Sequence, residues 1–270
     1  MGSTTSSAEC ISFAARAGQP MRNPVCSSLA DVMRLLGVEL PTARDAATTL
    51  FHHRRFKPGE HIFRAGQEFE ALYLVNSGFL KTMSGDAEGN ERVLSFPMKG
   101  NLLGCDGICE DRHTVDAIAL TDCDVIVLPF TQLLSIGRED VALEHLIYRV
   151  TSREIMGEHA HFATLSALPS DARVARFLAM QAQRHAALGF SPRCFMLRMT
   201  RREIGSYLGL TLETVSRALS ALDAAGVVKV DQRNIEILKP ELLHSAAKSC
   251  AQSSHRTQAH AWSAPLLAAA

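Results

Sequence analysis

Between Thr200 and Ser220 the chain reads Thr-Arg-Arg-Glu-Ile-Gly-Ser-Tyr-Leu-Gly-Leu-Thr-Leu-Glu-Thr-Val-Ser-Arg-Ala-Leu-Ser, an order of caps, apolar steps and glycine that admits few folds. The Thr200 hydroxyl suits the first turn of a helix, where backbone N–H groups lack intrahelical acceptors. Ile204 and Leu208, four positions apart, give that helix an apolar face. Gly209 permits a tight turn, and Thr211 caps a second helix predicted to run to Ala225 before Gly226. Two short helices joined so closely form a helix-turn-helix.

The second helix is two-faced: Val215, Leu219 and Leu222 share one side, and Glu213, Ser216, Arg217 and Ser220 share the other. A row of carboxylate, hydroxyl and guanidinium groups matches base edges in a DNA major groove. Arg donates twice to guanine, Glu accepts from a cytosine or adenine amino group, and Ser takes either role. Glu213, Ser216 and Arg217 are therefore candidate base readers. Thr200, Arg201, Ser206 and Thr211 are candidates for holding the phosphate backbone. Past Gly226, two apolar-rich runs, Val227 to Val230 and Ile235 to Leu238, flank Asp231-Gln-Arg-Asn234 as a hairpin, a wing from which Lys229 and Arg233 can touch phosphate. Charge agrees with this reading. From Asp171 to Leu243 eleven Lys/Arg stand against seven Asp/Glu, although the whole chain has 28 of each. That local excess favours a polyanionic partner for the C-terminal part.

Upstream the punctuation changes. The 270 residues, 47% hydrophobic and 21% charged, suffice for one large or two modest domains, and the balanced charge excludes a strongly basic coat protein or an acidic disordered chain. Glycines at Gly59, Gly66, Gly78, Gly89, Gly100 and Gly104 separate short β-favouring runs at 61–63, 72–75, 79–82, 92–96, 115–120 and 123–128, which predicts a small antiparallel barrel or sandwich. A short helix is expected over 43–51. From Val141 to Leu168 there is no Pro and one Gly, and Tyr148, Thr151, Ile155, Glu158, Phe162 and Leu165 step by three and four as a heptad seam does. A helix of that length would span roughly 40 Å, more than one small domain needs, and calls for a partner. Pro169 stops it, and Ser170-Asp171 is expected to cap a following helix over 172–187. Both ends are poor in large apolar groups and are expected to be disordered. No apolar run spans a bilayer and no signal peptide appears, so a cytoplasmic protein without membrane contact is expected.

Three stretches together resemble the Crp/Fnr superfamily of bacterial transcription regulators, over roughly Val25 to Leu243. They are Lys57-Pro-Gly-Glu-His-Ile-Phe-Arg-Ala-Gly66 with Leu72-Tyr-Leu-Val-Asn-Ser-Gly78, the long helix, and Thr200 to Ser220. The resemblance implies an α+β fold with a disordered tail (1–24), a cyclic-nucleotide-binding-like antiparallel β-roll as sensor domain (25–140), a long dimerisation helix (141–168), a C-terminal winged helix-turn-helix (169–245) and a second tail (246–270). It also implies a homodimeric activator reading an inverted repeat like TTGAT-N4-ATCAA in double-stranded DNA and meeting RNA polymerase. Glu213, Ser216 and Arg217 stand where the Fnr branch has its base-reading residues. Glu158 would face its own copy across the dimer seam and oppose association by carboxylate repulsion.

The sensory input is open. In cyclic-AMP-binding members the phosphate cassette carries a Gly-Glu pair and an Arg-Ser pair. The matching stretches here are Gly104-Cys-Asp-Gly-Ile108 and Arg112-His-Thr114, without the ribose-binding Glu and with no Ser after the Arg, so cyclic AMP is not expected. Fnr proteins hold an iron–sulfur cluster on three closely spaced N-terminal cysteines and one in the β-roll. Here Cys26 precedes Ser27-Ser28-Leu29, and Ile126 takes the β-roll ligand's place with Cys123 three residues away, so the resemblance carries no cluster. It points instead to FixK-like regulators governed mainly by expression. Cys105, Cys109 and His113, at steps of four, would share a face if helical and are weak metal candidates with Cys26 and Cys123. Cys194 is a candidate redox site beside the helix-turn-helix. No nucleophile, base and orienting residue recur in a catalytic pattern, so an enzyme is not expected. The alternative is a β-roll that senses a nucleotide, haem, gas or redox state while the C-terminal helices contact protein.

Overall fold

A computed structural model describes residues 25–37, 49–85, 91–139 and 141–248. The N-terminal part contains β1 (Cys26–Ser28), α1 (Leu29–Leu35), β2 (Leu50–Phe56), β3 (His61–Phe63), β4 (Ala71–Ser77), β5 (Leu80–Gly85), β6 (Glu91–Ser95), β7 (Leu102–Leu103), β8 (Asp116–Ala119) and β9 (Cys123–Pro129). Two antiparallel sheets form, one ordered β1-β2-β9-β4-β7 and the other β3-β8-β5-β6. The continuous apolar runs of β4 and β9 have a direct cause. Side chains alternate across a strand, and both faces of these strands are buried. Tyr73, Val75, Val125 and Val127 pack inward with Phe63 and Leu80. Leu72, Leu74, Ile126 and Leu128 pack outward under α1. Ser28 and Asp31 close α1 with a reciprocal capping box.

The helical part follows as α2 (Phe130–Glu139), α3 (Val141–Ala167) and α4 (Ser170–Ala187). Leu133 and Val150 close the outward core against α1, so α3 leaves the β-roll with one side already buried. The C-terminal unit adds β10 (Cys194–Met196), α5 (Arg201–Leu208), α6 (Leu212–Ala224), β11 (Val228–Asp231), β12 (Asn234–Ile237) and α7 (Pro240–Ala246). Its core joins Val174, Phe177 and Leu178 to Ile204, Val215 and Ile235.

The structure matches the predicted strands of the β-roll, the long helix and the two helices of the turn motif. It differs elsewhere. The helix expected over 43–51 falls partly outside the described residues, and its last two positions, Leu50 and Phe51, open strand β2, where register with β1 and β9 overrides local helical preference. The start of α4 has Pro169 as its N-cap, with no side-chain cap from Ser170 or Asp171, because proline already supplies the extended entry and Ser170 lies inside the first turn. The expected tails, 1–24 and most of 246–270, lie outside the described residues, although α7 extends through Ala246.

Candidate nucleic-acid interface

Helix α5 begins with a full capping box: Thr200 Oγ1 accepts from the Glu203 backbone N–H at 3.2 Å, while Glu203 Oε2 accepts from Thr200 N–H at 2.7 Å and from its hydroxyl at 2.9 Å. Gly209 ends α5 in the left-handed conformation, φ 64°, which glycine adopts without steric cost. Gly205 serves a different need, because a Cβ there would sit 2.7 Å from the Leu210 carbonyl oxygen. Gly209 is legible in sequence as a turn, whereas the need for Gly205 arises only from the approach of the Leu210 carbonyl. Thr211 caps α6 by accepting from Thr214 N–H at 3.2 Å.

This geometry leaves Glu213 and Arg217 exposed and Ser216 half-buried along α6, while Val215, Ala218 and Leu219 are buried beneath them. The Glu213 carboxylate is held below its usual range, first by the Glu213 backbone N–H and then by Thr211, with Arg217 and Arg202 adding attraction. It is therefore an acceptor at neutral pH. Arg201 donates to Ser216 Oγ at 3.2 Å and links the two helices across the motif. Arg217 Nη2 lies 3.5 Å from Thr214 Oγ1, a long contact that leaves the guanidinium outward.

Strands β11 and β12 form the expected wing, with Asp231 opposite Asn234 and Gln232 at φ 53° in the turn. Arg233 occupies that exposed tip, and Lys229 is exposed on β11 opposite Glu236. A third strand, β10, pairs with β12. It is too short to announce itself in sequence. An open groove of about 530 Å³ runs between wing and motif, lined by Thr200, Arg201, Gln232, Arg233 and Asn234. Arg201 and Arg233 on this groove carry guanidinium donors that suit a phosphate backbone, while Met196, Leu197, Met199, Ile204 and Leu219 make up its apolar lining. Ser206 lies elsewhere. Its hydroxyl accepts from the Val93 N–H of β6 at 2.9 Å and so faces the β-roll.

On α3, Ile155, Glu158 and Phe162 are exposed, Phe162 by 72% of its surface, and Met156 beside them is exposed by 68%. Tyr148 is exposed as well, whereas Thr151 and Leu165 are half-buried. Of the heptad positions, Tyr148, Ile155 and Phe162 thus present apolar groups outward with Glu158 between the last two, and the structure adds Met156.

The candidate thiols are not brought together as a helix face. A left-handed Gly104 (φ 94°), a single 3-10 turn over Cys105–Gly107 and a left-handed Asp111 (φ 54°) interrupt the segment. Cys109 is exposed, while Cys105 is half-buried and its thiol is pushed up to about 12 by burial, with Glu154 and Asp106 adding repulsion. His113 is buried, stacked on Phe63 at 3.8 Å between ring centroids. Cys26 is exposed on β1. Cys123 is buried and donates to the Phe79 and Thr121 carbonyls at 3.2 Å each. Cys194 is exposed at the start of β10. Among the described residues no three His, Cys, Asp or Glu side chains converge as a metal site.

The two stretches that match the phosphate cassette bind each other. Asp106 Oδ2 accepts from Thr114 N–H at 2.7 Å, and more weakly from its hydroxyl and from Val115 N–H at 3.3 Å each. Arg112 donates to the Gly66 carbonyl at 2.8 Å. Burial works against charge on Asp106, but the nearby His113 ring, its Nδ1 3.6 Å from Oδ1, and the bonds from Thr114 and Val115 outweigh it and hold the carboxyl below its usual range. A cyclic phosphate entering here would meet a fixed negative charge already using those donors. The residues present do not fit that ligand.

Residues 172–246 match the model of the Crp-like helix-turn-helix domain, and residues 53–140 match that of the cyclic nucleotide-binding domain. The class is thus a cyclic-nucleotide-type β-roll joined to a DNA-binding helix-turn-helix. The chain belongs to the Crp/Fnr family of transcription regulators. It is 38% identical over 184 residues to the transcriptional regulatory protein btr of Bordetella pertussis, covering 68% of this chain and 76% of that one. It is 36% identical to the fumarate and nitrate reduction regulatory protein of Vibrio cholerae, over 71% of this chain and 77% of the relative. FixK2 from Bradyrhizobium japonicum superimposes with a TM-score of 0.68 at 28% identity, covering 74% of this chain and 99% of that one. Among the described residues no helix is long and apolar enough to cross a membrane.

Proposed function

We propose that the protein acts as a homodimer that binds an inverted repeat resembling TTGAT-N4-ATCAA and activates transcription there with RNA polymerase. The observation that carries this reading is the pairing of two exposed surfaces: the Glu213 and Arg217 face of α6 and the Ile155, Met156 and Phe162 strip of α3. Burying that strip against its copy removes apolar area from water and sets two recognition helices about 34 Å apart, one DNA turn. Tethering then multiplies two weak half-site affinities. Glu213, Ser216 and Arg217 read bases and Arg201, Thr211, Lys229 and Arg233 hold phosphates, while Thr200, whose N–H and hydroxyl are both given to Glu203, positions α5 instead. Activation is supported by similarity to the transcriptional activator protein Anr of Pseudomonas protegens, 37% identical over 187 residues.

The β-roll works in this reading without cyclic AMP, because Asp106 fills the donors a phosphate would use. No iron–sulfur cluster is assigned to Cys26, Cys105, Cys109 or Cys123. The direct test is a mobility-shift titration with the full repeat, a single half-site and a scrambled duplex. Tight binding to the repeat alone, unchanged by added cyclic AMP, is expected. Equal binding to all three duplexes would refute the operator, and a shift on adding cyclic AMP would refute the reading of the β-roll.

A further inference from the structure

The C-terminal core is completed by the β-roll. Strand β6 forms the outer edge of its sheet, and an edge strand leaves backbone N–H groups unpaired. One of these, Val93 N–H, donates to Ser206 Oγ of α5 at 2.9 Å. Val93 and Phe96 are buried within the C-terminal cluster, with the Phe96 ring 5.3 Å from Tyr207. On the neighbouring strand β5, Lys81 Nζ lies 2.8 Å from Glu203 Oε1, and each side chain is only 17% exposed. The other oxygen of the same carboxylate closes the α5 capping box. Arg184 of α4 donates to the Phe96 carbonyl at 2.9 Å and to Asn101 Oδ1 at 2.7 Å. The hairpin therefore grips the first helix of the DNA-binding motif at its cap and at its middle, while the Glu213 and Arg217 face stays exposed.

We infer that Lys81, acting through Glu203, is a positioning residue for DNA recognition. The β5–β6 hairpin fixes the angle of each helix-turn-helix against α3 and so determines which spacer length between half-sites the protein accepts. The inference rests on the dimeric reading above. Its physical basis is that α5 is held by directional contacts, a short ion pair and an edge-strand hydrogen bond, at two successive turns. A motif docked in this way cannot swivel to follow a lengthened spacer. A motif hinged only at Pro169 could.

The test measures affinity of the full-length protein for repeats with N3, N4, N5 and N6 spacers and for an isolated half-site, in wild type, Lys81→Met, Lys81→Glu and Lys81→Arg. Lys81→Met keeps the aliphatic stem and removes the charge, so it guards against loss of folding. Wild type is expected to prefer one spacer. Lys81→Met should reduce that preference by about fivefold, the equivalent of one half-buried ion pair, and Lys81→Glu should reduce it further. Lys81→Arg should preserve it, and half-site affinity should stay unchanged in Lys81→Met and Lys81→Arg. Unaltered spacer preference in Lys81→Met and Lys81→Glu would overturn the inference. So would equal weakening on every duplex, half-site included, which is the mark of a merely structural role. If wild type binds the repeat no better than the half-site, the dimeric reading itself fails and takes this one with it.

Discussion

Gly205 and Asp124 show how single positions constrain this fold by different physics. Alanine at Gly205 would drive a methyl group into the Leu210 carbonyl, backbone that cannot rotate away. Gly205→Ala is expected to destabilise the C-terminal unit by about 1–3 kcal/mol, a lowered thermal midpoint in calorimetry. Asp124 Oδ2 accepts from His53 Nδ1 and Asn76 Nδ2 at 2.7 Å each, and His53 Nε2 lies 2.8 Å from Ser27 Oγ on β1. Burial raises the carboxyl's proton affinity, but these bonds prevail and hold Asp124 below the usual carboxylate range. A depressed folded-state value means that the contribution to stability is complete above about pH 4, where the unfolded group ionises, and fades as pH falls through the folded value. The urea midpoint of wild type should therefore exceed that of Asp124→Asn at pH 6 and converge on it toward pH 3. A gap that is constant with pH would refute the assignment. The sequence exposed neither group: His53 and Asp124 are 71 positions apart, and only strand pairing of β2 with β9 joins them.

Elements were legible in proportion to how much of their stability is local. Helices α5 and α6 carry their caps and apolar faces within a few residues, and α3 carries its period from Tyr148 to Leu165, about five turns. Strand β2 does not: Leu-Phe-His-His-Arg-Arg-Phe has no clean alternation, and it is held by its partners β1 and β9. Strands β7 and β10 are two and three residues long and exist through pairing alone. On α3 the exposed strip of Ile155, Met156 and Phe162 holds the groups that the proposed dimer would bury. Phe162→Ser should weaken self-association, and Glu158→Ala, by removing a carboxylate from the middle of that strip, should strengthen it. Sedimentation equilibrium measures both. Identical monomer–dimer equilibria for wild type and Glu158→Ala would show that the carboxylate faces solvent in the dimer.

Taken as one molecule, the chain couples its two halves more tightly than a linker of domains would. Ser206 illustrates the limit of sequence reasoning at this scale: on an isolated helix-turn-helix its hydroxyl points to phosphate, and only the neighbouring β6 edge reveals its bond to Val93. The cassette was legible as a departure from the family pattern, but the closure of Asp106 onto Thr114 and Val115 required the loop geometry. Recognition of DNA by the α6 face is the claim on which the rest depends. It is tested most directly by titrating wild type and Arg217→Ala against the TTGAT repeat and against repeats changed at one symmetric base pair per half-site. Arg217→Ala should lose about 1–3 kcal/mol per half-site on the cognate repeat and cease to distinguish substitutions at one base position. Equal affinity of the two proteins for the cognate repeat, with the same ranking of altered sites, would contradict base reading by this helix.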